Sequence, residues 1–81
     1  MKYNIYSIRD KKVGFGFPHV DQSDTSAIRG FAYAVNQEGL MNYSPDDFEL
    51  YRIGVFDTDK GTVVSVDIPE LIVSASSVIG D

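Results

Sequence analysis

The sequence predicts an α+β domain: a small antiparallel sheet of about four strands, in the order β-β-α-β-β plus a tail, with one long helix packed on one face. Three observations carry this. Tyr- and Ile-rich runs with strand patterning occur in pairs at both ends of the chain, each pair joined by a short polar turn. One segment between the pairs has apolar residues at helical spacing. With 81 residues there is room for a single domain.

Lys2 to Ile8 reads as the first strand, rich in β-branched and aromatic residues. Asp10-Lys11-Lys12 with Gly14 supplies a turn, and Val13 to Phe17 returns as a second strand ended by Pro18. From Thr25 to Glu38, Ile28, Phe31, Ala32 and Val35 form one apolar stripe of a helix, with Ser23 or Asp24 as its cap and Gly39 closing it. Ser44-Pro45-Asp46-Asp47 has the pattern of a one-turn helix with a capping box. Phe48 to Phe56 is the longest predicted strand. Asp57 to Gly61 is a hairpin connection and Thr62 to Ile68 the return, broken by Pro69. The tail from Leu71 to Ile79 fits either a short helix or an extended arm.

The two longer strands carry apolar groups on both faces, Tyr3 and Ile5 against Tyr6 and Ile8, and Leu50 and Phe56 against Tyr51, Ile53 and Val55. A single helix covers one face. The other is expected to meet the tail, a second subunit or a ligand.

Composition removes several classes of chemistry. Without cysteine there is no disulfide or thiolate site, with His19 as the only histidine there is no imidazole metal cluster, and with a single histidine and no G-x-S-x-G there is no recognisable activated serine nucleophile. His19 itself reads as a surface-loop residue. Gly14-Phe15-Gly16-Phe17-Pro18 starts like a dinucleotide fingerprint but lacks the third glycine and the helix that should follow. Asp57-Thr58-Asp59 begins like a calcium loop, yet Ile68 stands where the closing glutamate belongs. Asp46 and Asp47 suit the first turn of a helix better than acid–base work. No catalytic residue and no cofactor is expected, and the chain is read as non-enzymatic. The first residues lack the apolar stretch of a signal peptide, and no apolar run is long enough to cross a membrane. A cytoplasmic setting and no membrane partner are therefore expected. A chain this short buries only about 60% of its unfolded surface, which favours a homo-oligomer, a dimer first among the possibilities.

Net charge is −5, unevenly spread. Residues 1–39 carry five Lys and Arg against four Asp and Glu, whereas residues 40–81 carry two against eight. A polyanion would thus meet the N-terminal half. There, Arg9, Lys11 and Lys12 sit at one hairpin tip with Lys2 on the adjoining strand, interleaved with Tyr3, Tyr6, Phe15 and Phe17. Cations that track phosphates beside aromatic faces that stack bases are how single-stranded nucleic acid is held. Lys2, Arg9, Lys11, Lys12 and Arg29 are the expected phosphate contacts, Tyr6 and Phe15 the expected stacking residues, and Arg52 a weaker candidate.

Several blocks are familiar: Ile5-Tyr6-Ser7-Ile8-Arg9-Asp10; Ala27-Ile28-Arg29 followed by Phe31-Ala32; Asp47-Phe48-Glu49-Leu50-Tyr51-Arg52-Ile53-Gly54; and Phe56-Asp57-Thr58 leading to Gly61. On these the chain resembles the small nonstructural protein of gokushovirus-type microviruses, phages with small circular single-stranded DNA genomes. The resemblance implies a DNA-binding accessory protein of genome replication or packaging, in the host cytoplasm and outside the virion. The acidic half and the two-faced strands leave a second expectation open: a module that binds a phage capsid or replication protein, or a host factor.

Overall fold

In a computed structural model, residues 1–80 are described. The antiparallel sheet is built on β1 (Lys2–Asp10) and β4 (Phe48–Asp57), which pair along their whole length from Lys2 opposite Asp57 to Asp10 opposite Phe48. β2 (Gly14–Phe15) and β3 (His19–Asp21) both lie on the outer edge of β1, and β5 (Thr62–Ser74) forms the other edge. The sheet thus has five strands and curls into a half-barrel. Bulges supply the curvature, because an extra residue on one strand bends it and raises the local twist. Ile53 is extra between the pairs Ile5–Gly54 and Tyr6–Arg52. Val66 to Pro69 stand opposite the same residue on the β5 side.

That bulge corrects the expectation that Pro69 ends the strand. β5 runs on to Ser74 because Pro69 lies in the irregular stretch, where no ladder N–H is required. The predicted second strand from Val13 to Phe17 is likewise cut to two residues. Gly16 N–H donates to the Ile8 carbonyl at 2.8 Å and the Ser7 hydroxyl donates to the Gly16 carbonyl at 2.8 Å, after which the chain passes Pro18 and rejoins β1 as β3. His19 accordingly sits in an edge strand, its ring 6.0 Å from that of Tyr6.

The single long helix is not what forms. α1 (Asp24–Val35) has twelve residues, about 18 Å of helix. It is followed by one-turn α2 (Leu40–Tyr43), a 3₁₀ turn at Pro45–Asp47 and, after β5, one-turn α3 (Ala75–Val78). Ser23 caps α1 through its hydroxyl, which accepts from Ser26 N–H at 3.2 Å. The helix stops before Glu38 because Asn36 takes the C-cap: its Nδ2 donates to the carbonyls of Ala32 (2.7 Å) and Val78 (3.0 Å), and its Oδ1 accepts from Gly80 N–H (2.6 Å). Helix end and tail are thereby tied together. Gly39 is extended and precedes α2, so it does not close α1. Ser44 makes no side-chain cap; its carbonyl instead accepts from Asp47 N–H at 3.1 Å. The β4–β5 turn forms as expected. Asp57 Oδ1 accepts from Asp59 N–H at 2.9 Å, and Gly61 takes the left-handed conformation at φ 67°.

The core lies between α1 and one face of the sheet. Ala27, Phe31 and Val35 of the helix meet Tyr6, Phe48 and Leu50 of the strands, and Ala75 and Val78 of α3 join them. The tail therefore packs on the helix side. Among the described residues no helix lies over the other face, where direct cross-strand neighbours place Tyr3, Ile5, Ser7 and Arg9 of β1 beside Phe56, Gly54, Tyr51 and Glu49 of β4; the segment at Gly16, whose carbonyl accepts from the Ser7 hydroxyl, shelters part of it, and Ile5 and Ser7 are buried. This face, called the outer face below, keeps half-exposed Val20 and Leu71 and largely exposed Val63.

Candidate nucleic-acid interface

Of the seven residues expected to contact nucleic acid, the fold gathers four. Arg9 is opposite Phe15 across β1–β2 and opposite Glu49 across β1–β4, so all three side chains share the outer face at one end of the sheet. The Arg9 guanidinium carbon lies 5.9 Å from the Phe15 ring centroid, within cation–π range. Tyr51 meets Phe15 nearly edge-on, at 5.3 Å between centroids and 68° between planes, the arrangement that the ring quadrupoles favour. Lys11 and Lys12 form the adjoining turn. Asp10 organises it: its carbonyl accepts from Val13 N–H (3.0 Å) and its carboxylate from Lys12 N–H (3.0 Å). Lys11 N–H donates to the Asp47 carbonyl at 2.8 Å, clamping the turn to the start of β4.

Glu49 sits in the middle of this group. Its carboxylate is 3.7 Å from Arg9 Nη1 and 4.0 Å from Lys11 Nζ, and it accepts from the Tyr51 hydroxyl at 3.0 Å. Both cations remain more than two-fifths exposed. Ion pairs of that kind contribute about 0–1 kcal/mol, whereas a hydrogen bond to a charged group is worth about 1.5–3 kcal/mol. Glu49 itself is only 12% exposed, so its carboxylate offsets part of the positive charge that Arg9 and Lys11 present. Phe15 is 49% exposed and Phe17, just beyond it, 96%, so aromatic surface stands open beside the cations.

The other three candidates lie elsewhere. Tyr6 is fully buried, so it cannot stack on a base. Its hydroxyl donates to Asp24 Oδ1 at 2.5 Å and accepts from Asn4 Nδ2 at 3.0 Å, locking β1 to the first turn of α1. Burial, with the Asp24 hydrogen bond next in importance, raises its pKa to about 12. Lys2 stands at the far end of β1 opposite Asp57, roughly 23 Å along the strand from Arg9. Arg29 is on the exposed side of α1, across the sheet from Arg9. Arg52, the weaker candidate, is paired with Glu70, whose hydrogen bond pushes the guanidinium pKa further up. Five cations in one groove is thus not the arrangement; three cations and an aromatic pair at one tip is.

Tyr51 and Glu49 are the members that the sequence did not single out. Their place depends on β1–β4 register, which no local pattern encodes. Among the described residues no three His, Asp or Glu side chains gather to hold a metal ion, and no helix is long and apolar enough to cross a membrane.

No curated protein and no solved structure matches the chain. A family model described as Phage ORF5 protein matches residues 3–78, from the second residue of β1 to the last of α3. With almost every element inside that match, the chain belongs to the Phage ORF5 protein family.

Proposed function

We propose that this phage accessory protein is non-enzymatic and binds single-stranded DNA at the Arg9–Phe15–Tyr51 tip, serving genome replication or packaging in the host cell. The observation that carries this reading is the cation–π contact of Arg9 with half-exposed Phe15, flanked by Lys11 and Lys12. Phe15 offers a face to one base, Phe17 to its neighbour, and the three cations reach the phosphates between them. The resemblance to gokushovirus nonstructural proteins supports the same reading. The site is small. With three phosphate contacts the logarithm of affinity should fall with log salt at a slope of about −2.

Fluorescence anisotropy with a labelled oligothymidylate at low and moderate salt tests it. Phe15→Ala should remove about 1–3 kcal/mol of binding, the worth of one stacked base. No binding at tens of micromolar protein in low salt ends the proposal.

A second reading rests on β5. It is a long edge strand whose exposed stretch carries Asp67 and Glu70 beside Ile68 and Leu71. An unpaired edge accepts a further strand, here one from a basic phage or host protein. A stoichiometric protein partner that survives nuclease treatment would favour this reading over the first.

A further inference from the structure

The outer face holds a groove of about 400 Å³ lined by Ile5, Pro18, Val20, Ile53, Phe56 and Val63. His19 is the only titratable side chain at its wall, although the chain carries 12 acidic and 7 basic residues. Val63 is 65% exposed and Val20 49%. Gly54 deepens the floor, because it adds no Cβ between Ile5 and Val64.

We propose that this groove, at the end of the outer face away from Arg9 and Glu49, is the dimer interface of the protein and that its occupant is a second copy of the same chain. The surface of the single chain argues for it. A folded monomer of 9.0 kDa should expose about 4,900 Å², yet this chain exposes 5376 Å². The surplus, roughly 500 Å², is more than half of the ~800 Å² that one partner contributes to a stable interface. The shape agrees: the radius of gyration is 12.8 Å, against about 11.7 Å for a compact domain of this length.

Charge selects the occupant. Copies of a chain with net charge −5 repel one another, and a lining free of carboxylates is where two of them can meet without burying like charges. Nucleic acid is disfavoured there, because no cation lines the groove. A two-fold arrangement also lets the protruding Val63 of each copy enter the groove of the other, since a self-complementary patch must carry both knob and hole. Among the described residues no segment of the chain itself can fill it: the tail is held on the helix side by Asn36, and Met1 is tied to the β4–β5 turn through Asp59 and Thr58.

This proposal is independent of DNA binding, and salt separates the two. Screening relieves repulsion between like-charged copies, so dimerisation should tighten with salt while oligonucleotide binding weakens. Sedimentation velocity on the full chain at micromolar to 100 micromolar concentrations, at low and at high salt, should give a species of about 18 kDa, twice the 9.0 kDa of one chain. Val63→Asp places a carboxylate in the interface and should weaken the dimer by more than about tenfold. It should leave the far-UV circular dichroism unchanged, because the site is exposed in the single chain. Phe15→Ala should leave the dimer intact. A 9.0 kDa monomer at every concentration and both salts overturns the proposal, as does a dimer that Val63→Asp does not weaken.

Discussion

Removing one hydroxyl tests how the sheet is locked to the helix. In Tyr6→Phe the ring stays in the core, but Asp24 loses a donor at 2.5 Å and Asn4 Nδ2 loses the nearer of its two acceptors, keeping Asp24 Oδ1 at 3.5 Å. Hydrogen bonds to charged groups contribute about 1.5–3 kcal/mol, and Asp24 is only partly buried, so water replaces part of the loss. A destabilisation of about 2 kcal/mol at pH 7 is expected. The pH dependence makes the prediction sharper. The folded-state pKa of Tyr6 is raised from 10.0 to about 12, so the folded protein holds the phenolic proton more tightly than the unfolded chain. The resulting stability is fully present below pH ~10 and is lost as pH rises towards ~12. Two pKa units correspond to at most about 2.7 kcal/mol, set first by the cost of ionising a buried phenol and only second by the Asp24 hydrogen bond. The wild-type and Tyr6→Phe proteins should therefore differ by about 2 kcal/mol up to pH 9 and converge by pH 12. Urea unfolding followed by circular dichroism at several pH values measures this. Taking the difference between the two proteins cancels the four other tyrosines. A difference below about 0.5 kcal/mol at pH 7, or one that stays constant into alkali, would refute the assignment of Tyr6 as a buried charge-assisted lock.

Two further outcomes follow from the same geometry. Glu49→Gln releases Arg9 and Lys11 from their carboxylate; it should raise oligonucleotide affinity severalfold while costing no more than ~1 kcal/mol of stability, as read by anisotropy and urea unfolding. Gly54→Ala puts a Cβ 2.7 Å from the Val64 carbonyl oxygen, which forces β4 and β5 apart and should destabilise the fold by about 1–3 kcal/mol, visible as a lowered urea midpoint.

Local chemistry accounts for the elements that were legible before folding. The stripe Ile28, Phe31, Ala32 and Val35 announces α1, and Ser23 caps it as its residue type predicts. Asp57 and Gly61 build the last hairpin because an Asx turn and a positive φ depend only on residues a few positions apart. The failures have a common origin in distant partners. Helix α1 stops early because Asn36 finds the carbonyl of Val78, 42 residues away. Pro69 is tolerated because a bulge opposite Ile53 removes the demand for its N–H. Tyr6 looked like a stacking residue because aromatic character is visible in a sequence and burial is not; Asp24 and the core claim it instead.

The amino-acid sequence alone determined the fold class, the cysteine-free and histidine-poor chemistry, and a hairpin tip where Arg9, Lys11 and Lys12 stand near Phe15. Each of these depends on residue type and short-range spacing. Only the tertiary structure decided that Tyr51 and Glu49 complete that tip, that Lys2 and Arg29 lie apart from it, and that the tail packs on the helix side of the sheet and not on the outer face. Those outcomes turn on strand register. A shift of one residue would send every side chain of β4 to the opposite face, and that register is set by long-range packing rather than by neighbours in the chain.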